Sequence, residues 1–270
     1  MHLWKSEWVL GKWMQNKYGG IPAIGTHVYD GGYNLHECFR KGTVAGGADE
    51  CRLHVLKLEG LQGFADTKPL VEIFKYEKPS HAHAILSGKE GTEFINNFYA
   101  DHAAAEIPLS VSPVMVENGD LFNLNNPVAI FNALTWDYNI DNAENKVFKS
   151  DYENSFEESP NMFSLLGYET GLAIAAASEK INGGRVTREK LTEALTLAVD
   201  NIIGPRGKFN IGTMNFTTPQ PVYIRNTNIN INEITNQITD VIHDGIEWNA
   251  NSLASVREAN HSWQNSYLCV

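Results

Sequence analysis

Cysteine is scarce in this 270-residue chain: Cys38, Cys51 and Cys269 stand apart, with no CxxC spacing. That excludes a dense disulfide framework and a cysteine-rich zinc site, and the expected state is free, mostly buried thiols. Basic residues are outnumbered by acidic ones, 21 to 32, for a formal net charge of −11. A surface of that sign repels phosphates and anionic headgroups, so no nucleic-acid partner is expected. Long apolar runs are missing as well. The longest, such as residues 171–178, fall far short of the roughly 20 residues that cross a bilayer, so no direct membrane insertion is expected. Met1-His2-Leu3-Trp4-Lys5-Ser6-Glu7-Trp8 carries no basic segment followed by an apolar core and a small-residue cleavage site, so the expectation is either a cytoplasmic protein or one whose natural N-terminus is missing. Motif chemistry is equally thin. There is no GxSxG elbow, no HExxH and no P-loop, so neither an enzyme nor a cofactor is expected.

What is there is enough to fold. With 43% hydrophobic and 10% aromatic residues the chain can bury a substantial core, as one large domain or two lobes. The first half alternates helical and strand patterns with short polar or Gly-rich joints, which reads as βαβ units and a parallel sheet. Trp4, Trp8, Val9, Leu10 and Trp13 recur at helical spacing until Tyr18-Gly19-Gly20. Strands are expected over 21–28, 52–58, 82–86 and 107–111, and helices over 34–41 (ended by Gly42), 66–77 and 89–102. Residues 117–161, rich in Asn, Asp and Phe, have few clear periods and read as a crossing or connecting segment. Helices are expected again over 166–181 and 187–199, followed by a hairpin-like stretch from Gly204 to Arg225. Residues 226–236 are rich in Asn and Ile, and 244–270 read as a loosely held tail.

Four places carry a resemblance. The first is a strand, Tyr29-Asp30-Gly31-Gly32-Tyr33, a helix, then Gly46-Gly47; the second runs from Phe64-Ala65-Asp66-Thr67 through Ser87-Gly88 to Phe94. The third is Gly167-Tyr168-Glu169 leading into 172–177, and the fourth is Gly204-Pro205-Arg206-Gly207 followed by Gln220-Pro221-Val222-Tyr223-Ile224. In this order they resemble the leucine/isoleucine/valine-binding family of type I periplasmic solute-binding proteins of ABC importers. The resemblance implies an α/β fold of two lobes with mainly parallel sheets. Residues 1–135 would be the second lobe, 136–222 the remaining back half of the first, and 223–270 the return to the second lobe and a C-terminal tail. It also implies a chain truncated at its N-terminus, lacking the first half-lobe and signal peptide. Apolar faces such as those of Leu166, Leu172, Ile174 and Ala177 would then lose their cover. By resemblance the full-length protein is periplasmic or extracellular. It captures a small polar solute, an amino acid, amide or short-chain acid, in an interlobe cleft, and hands it to a membrane permease. A ligand-sensing module of a signalling receptor and an α/β enzyme with an unrecognised site are the competing readings.

Candidate ligand contacts follow from where such folds bind, at the carboxyl ends of strands. At Tyr29 and Asp30 the glycines that follow let backbone approach a ligand and the Tyr29 ring can stack on it; the alternative is a tight strand-to-helix turn. Ser87 and Gly88 offer a hydroxyl and N–H groups at a helix start; the alternative is a simple N-cap. The family places an acid near Glu117 that binds a ligand amine; the alternative is a solvated glutamate. Trp136 is either a cleft aromatic or a packed hinge residue. His81 and His83 point to one face of a strand, but no third ligand of suitable spacing accompanies them and no metal is expected.

Overall fold

The computed structural model describes residues 3–27, 35–57, 66–117, 128–181, 186–199, 202–208, 220–230 and 233–243. Tyr29, Asp30, Cys269 and the tail from 244 onward lie outside them. The chain divides into two compact units: His2–Leu134 with Val222–Val270, and Thr135–Pro221.

In the larger unit the alternation expected from the sequence is present. Helix α1 (Leu3–Tyr18) leads to β1 (Ala23–His27), α2 (Leu35–Ala45), β2 (Arg52–Leu56), α3 (Lys68–Glu77), β3 (Ala82–Ile85), α4 (Gly88–Ala100) and β4 (Leu109–Val111). Strand β5 (Val128–Leu134) and a hairpin of β6 (Val222–Asn230) and β7 (Glu233–Ile242) complete one seven-stranded sheet in the order β2-β1-β3-β4-β5-β6-β7. β1 through β5 pair in parallel, and β5–β6 and β6–β7 pair antiparallel, so the sheet is mixed and mainly parallel.

Two layers of helix cover the sheet, because successive strand residues point to opposite faces. Ala23, Ala82, Ala84 and Ile130 join one core with Leu70, Phe74, Phe94 and Phe98 of α3 and α4. Ile24, Ala133, Val222 and Ile224 join another with Val9, Leu10 and Met14 of α1 and Phe39 of α2. Helix starts follow local rules only in part. At α3 it is Asp66, one residue before the cap position Thr67, whose Oδ1 accepts the N–H of Lys68 at 3.0 Å.

Three expectations are corrected. Gly42 does not end α2, which runs on to Ala45; a Cβ at Gly42 would stand 2.0 Å from the Trp8 carbonyl oxygen, and one at Gly11 2.3 Å from that of Phe39. Both glycines are present so that α1 and α2 can touch backbone to backbone. Residues 117–161 are not a mere crossing: they contain β5 and helix α5 (Ala143–Phe156), whose Asn142 cap accepts the Asn145 N–H at 2.7 Å. Of the Asn/Ile-rich 226–236 stretch, residues 226–230 belong to β6 and 233–236 to β7.

The smaller unit holds α5, α6 (Met162–Lys180), α7 (Arg188–Val199) and a short hairpin pairing Ile203–Gly204 with Gly207–Lys208. α6 starts four residues before the expected 166 because Asn161 and Ser164 form a reciprocal cap. Asn161 Oδ1 accepts from the Phe163 and Ser164 N–H groups, and Ser164 Oγ accepts from the Asn161 N–H.

Candidate functional site

The order β2-β1-β3 means that the chain leaves β1 in one direction to build β2 and returns past it to build β3. α2, which follows β1, packs on one face of the sheet, and α4, which follows β3, on the other. The carboxyl ends of β1 and β3 are therefore the topological switch point of the sheet, the place where open α/β sheets have their ligand crevice. The two strands pair directly, Thr26 against Ile85, and Thr26 Oγ1 donates to the Ile85 carbonyl at 3.0 Å.

Four of the six sequence-predicted residues can be placed. Ser87 and Gly88 lie at this switch point: Ser87 is exposed, in extended backbone at the cap position of α4, and its side chain makes no capping bond. Gly88 has φ +56°, a left-handed conformation that favours glycine, and it turns the chain from β3 into the helix. The N–H groups of the first helical turn point out of this end with the positive end of the helix dipole, a setting for an anionic or acceptor group. Tyr29 and Asp30 lie outside the described residues, and the described strand end before them is the buried His27.

Glu117 follows β4 and a single 3-10 turn, Pro113–Met115. Its Oε1 lies 2.7 Å from Nη1 of Arg225 on β6, and both side chains are almost wholly buried. Arg225 Nε donates to Asn132 Oδ1 at 2.7 Å, Asn132 Nδ2 to Thr227 Oγ1 at 2.6 Å, and Thr227 Oγ1 to Asn236 Oδ1 at 2.5 Å. The carboxylate thus faces a guanidinium that is itself held by a polar ladder across β5, β6 and β7. Trp136 belongs to the smaller unit. It is 1% exposed, its indole N–H donates to Asn145 Oδ1 at 2.9 Å, and its ring meets Phe148 edge-on.

Sequence reasoning passed over Ser112. It ends β4 as Ser87 ends β3, its N–H donates to the Ala84 carbonyl at 2.9 Å, and its buried hydroxyl has no hydrogen-bond partner among the described residues. The signal was available: a serine closing an apolar strand just before Pro113 repeats the pattern of Ser87-Gly88. His81 and His83 do share one face of β3, and each is engaged there, His81 with Gln15 and His83 with Ser110.

In the smaller unit two quoted motifs meet. Arg206, in the Gly204-Pro205-Arg206-Gly207 turn, makes a bidentate pair with Glu169 of Gly167-Tyr168-Glu169 and donates through Nη1 to Thr135 Oγ1 at 3.0 Å. Tyr168, Gly204 and Pro205 line an open groove of about 220 Å³ together with Val147 and Leu172.

Comparison with known proteins accounts for this architecture. A family described as "Periplasmic binding protein" matches residues 116–230. A solute-binding protein of an ABC transporter from R. palustris, solved with 4-hydroxybenzoate, superposes with a TM-score of 0.75 at 20% identity, over 91% of this chain and 66% of its own. A second from R. palustris, solved with benzoate, gives 0.67 at 19% identity, over 90% and 65%. A leucine-binding protein from Thermotoga maritima gives 0.66 at 17% identity, over 89% and 65%. No curated protein matches the sequence. The fold is that of type I periplasmic binding proteins, as the resemblance implied, and the chain spans 65–66% of the length of these solved structures.

Proposed function

We propose that this chain is the solute-capturing part of an ABC importer's binding protein, and that it binds its ligand without transforming it. The observation that carries this reading is the switch point between β1 and β3 in the strand order of the sheet, in a fold shared with proteins solved with benzoate and 4-hydroxybenzoate or named for leucine. Those ligands differ in their apolar parts but have a carboxylate in common. A small carboxylate is accordingly the proposed ligand class, seated against Ser87, Gly88 and the first turn of α4. Tyr29 and Asp30, which follow β1 in the sequence and lie outside the described residues, are proposed contacts. Glu117, given its burial, is proposed to shape the site from behind, through Arg225, and Trp136 is proposed to pack within the smaller unit against Asn145 and Phe148. The larger unit corresponds in this reading to the second lobe and the smaller to the back of the first. The proposed setting is the periplasm, and the proposed partner is a membrane permease that accepts the solute.

Saturation-transfer NMR on the 270-residue chain with L-leucine, benzoate, 4-hydroxybenzoate and acetamide tests this reading. The expectation is selective, saturable binding of the carboxylates with a Kd of about 1 mM, weak because one wall of the site contributes. Ser87→Ala and Tyr29→Ala should each weaken it. Absence of saturable binding by every carboxylate, or binding indifferent to both substitutions, would refute the assignment.

A further inference from the structure

One side chain ties the end of α1 to the strand beneath it. Gln15 Oε1 lies 3.0 Å from His81 Nε2 of β3, and Gln15 Nε2 donates to the Gly20 carbonyl, also at 3.0 Å. The second bond fixes the orientation of the amide. A carbonyl only accepts, so the amide nitrogen faces Gly20 and the amide oxygen faces the imidazole. His81 therefore carries its proton on Nε2, donates it to Gln15, and leaves Nδ1 bare. That nitrogen is buried and has no hydrogen-bond partner among the described residues.

A second proton on this ring has to go to Nδ1, where no described group accepts a hydrogen bond from it. The groups around it offer no counter-charge either. Tyr18 of α1 and Phe39 of α2 present rings at 6.2 and 6.3 Å. Glu7 of α1 is engaged by His83, and Asp240 of β7 accepts the Trp13 indole N–H. Lys17 is itself a cation, lying over the rings of Trp13, Tyr18 and Phe131. Burial, with His83 on the same face of β3, holds the imidazole down to about 4. A buried cation without an acceptor is relieved by water, so the doubly protonated ring favours a state in which this spot is open to solvent.

The elements around His81 differ in how they can yield. β3 is an interior strand, paired with β1 on one side and β4 on the other, and it cannot move without breaking both ladders. α1 meets it through side chains. Immediately after the helix come Gly19 and Gly20, both left-handed at φ +62° and +65°, a conformation that glycine adopts without strain. The carbonyl that Gln15 holds is that of Gly20, so the side chain that touches the ring also clasps the joint. We propose that the last turn of α1 is an acid-released latch: double protonation of His81 lifts residues 15–20 from β3 about the Gly19–Gly20 joint while the sheet stays folded. The inference rests on contacts within the larger unit alone and does not depend on solute capture.

Amide hydrogen exchange on the 270-residue chain tests it. Corrected for the intrinsic rate, exchange across 15–20 should quicken between pH 7.5 and 4.5 by on the order of tenfold to a hundredfold, the factor set by a group that titrates near 4 with the latch closed and near 6.5 with it open. Low urea should leave that exchange unchanged, because the opening exposes little surface, whereas it should speed exchange in α4, whose opening exposes the core. His81→Gln still donates to Gln15 and has no second proton to take, so it should abolish the pH dependence at 15–20. Exchange across 15–20 that rises with urea in step with that of α4 would overturn the proposal, as would a pH dependence that His81→Gln leaves intact. A second measurement does not require the variant to fold. In NMR spectra of the parent with isotope-labelled histidine at pH 7.5, His81 should show a proton on Nε2 and a bare Nδ1; the opposite tautomer, or a ring carrying both protons, would remove the latch.

Discussion

His83 of β3 lies 3.0 Å from Glu7 of α1 through Nε2 and Oε2, and neither side chain has any exposure to solvent. Nδ1 of the same ring is 2.9 Å from Ser110 Oγ, which donates to the Ala82 carbonyl at 3.2 Å, so Ser110 accepts from Nδ1–H. Phe39 stacks on the imidazole at 3.8 Å. Serine, histidine and acid stand in the spatial order of a catalytic relay, but all three are sealed in the layer between α1 and the sheet, and no substrate can reach them.

This pair should behave as a joint between helix and sheet. Removing one member leaves the other buried without its partner, at a cost of about 3–5 kcal/mol. Glu7→Leu and His83→Leu should each lower urea stability by that order, and the double variant by clearly less than the two together. Additive losses in such a cycle would mean that the two side chains are not coupled.

His81, one strand position before Ala82, carries a pH signature. Burial, with the nearby His83, holds its imidazole down to about 4, and in its neutral form Nε2 donates to Gln15 Oε1 at 3.0 Å. Above pH 6.5 the group is neutral in folded and unfolded chains alike, and the native state keeps its full stability. Between about 6.5 and 4 the unfolded chain binds a proton that the native one refuses, so stability falls as pH falls, by about 3 kcal/mol for this group. Urea midpoints measured from pH 7.5 to 4 should decline more steeply in the parent than in His81→Gln; parallel curves would remove His81 as the cause.

The helical glycines should answer alanine with opposite signs. Gly42→Ala forces a methyl into the Trp8 carbonyl and should destabilise by about 1–3 kcal/mol. Gly167→Ala meets open space and should stabilise by about 0.5–1 kcal/mol. Thermal melts of the two variants decide the matter.

That contrast also marks how far the sequence could be read. Gly42, Gly167 and Gly171 are the same letter in helical context, and only the partner that approaches each one tells a packing glycine from a stop or from one that faces open space. Strands bounded by glycine and serine, such as β1 and β3, were legible because their signals are local. β5 was not, since Asn132, Ala133 and Leu134 are buried in succession and the strand does not alternate. β6 and β7 were hidden by asparagines of poor strand propensity, whose justification is the ladder from Arg225 through Asn132 and Thr227 to Asn236. In the candidate site, Ser87-Gly88 was visible as a strand-to-helix joint, whereas the partner of Glu117 lies on a strand far along the chain.

The thiols should be inert in the native protein. Burial, with Glu7 and Glu37 nearby, pushes Cys38 up to about 12, and burial pushes Cys51 up to about 11 against the opposing pull of Thr43 and Arg40. The thiolate is the reactive form, so at pH 8 both are almost wholly protonated. In a Cys269→Ser background, a disulfide reagent should label neither residue until urea unfolds the chain, and rapid native labelling of either would contradict its burial.

Glu117 is where stability and binding can be told apart. Its carboxylate faces Arg225 in a setting with almost no solvent, so Glu117→Ala leaves a buried guanidinium without its counter-charge and should cost about 3–5 kcal/mol in urea unfolding. Replacing both residues with leucine removes the stranded charge and should recover a good part of that loss. A side chain committed to Arg225 affects a solute at the switch point only through the position of the segment after β4, which also carries Ser112. The double-leucine variant, if folded, should then bind the carboxylate panel within about threefold of the parent, a difference of roughly 0.7 kcal/mol. A folded variant of normal stability that loses binding altogether would place Glu117 in contact with the solute and return it to the role the sequence suggested.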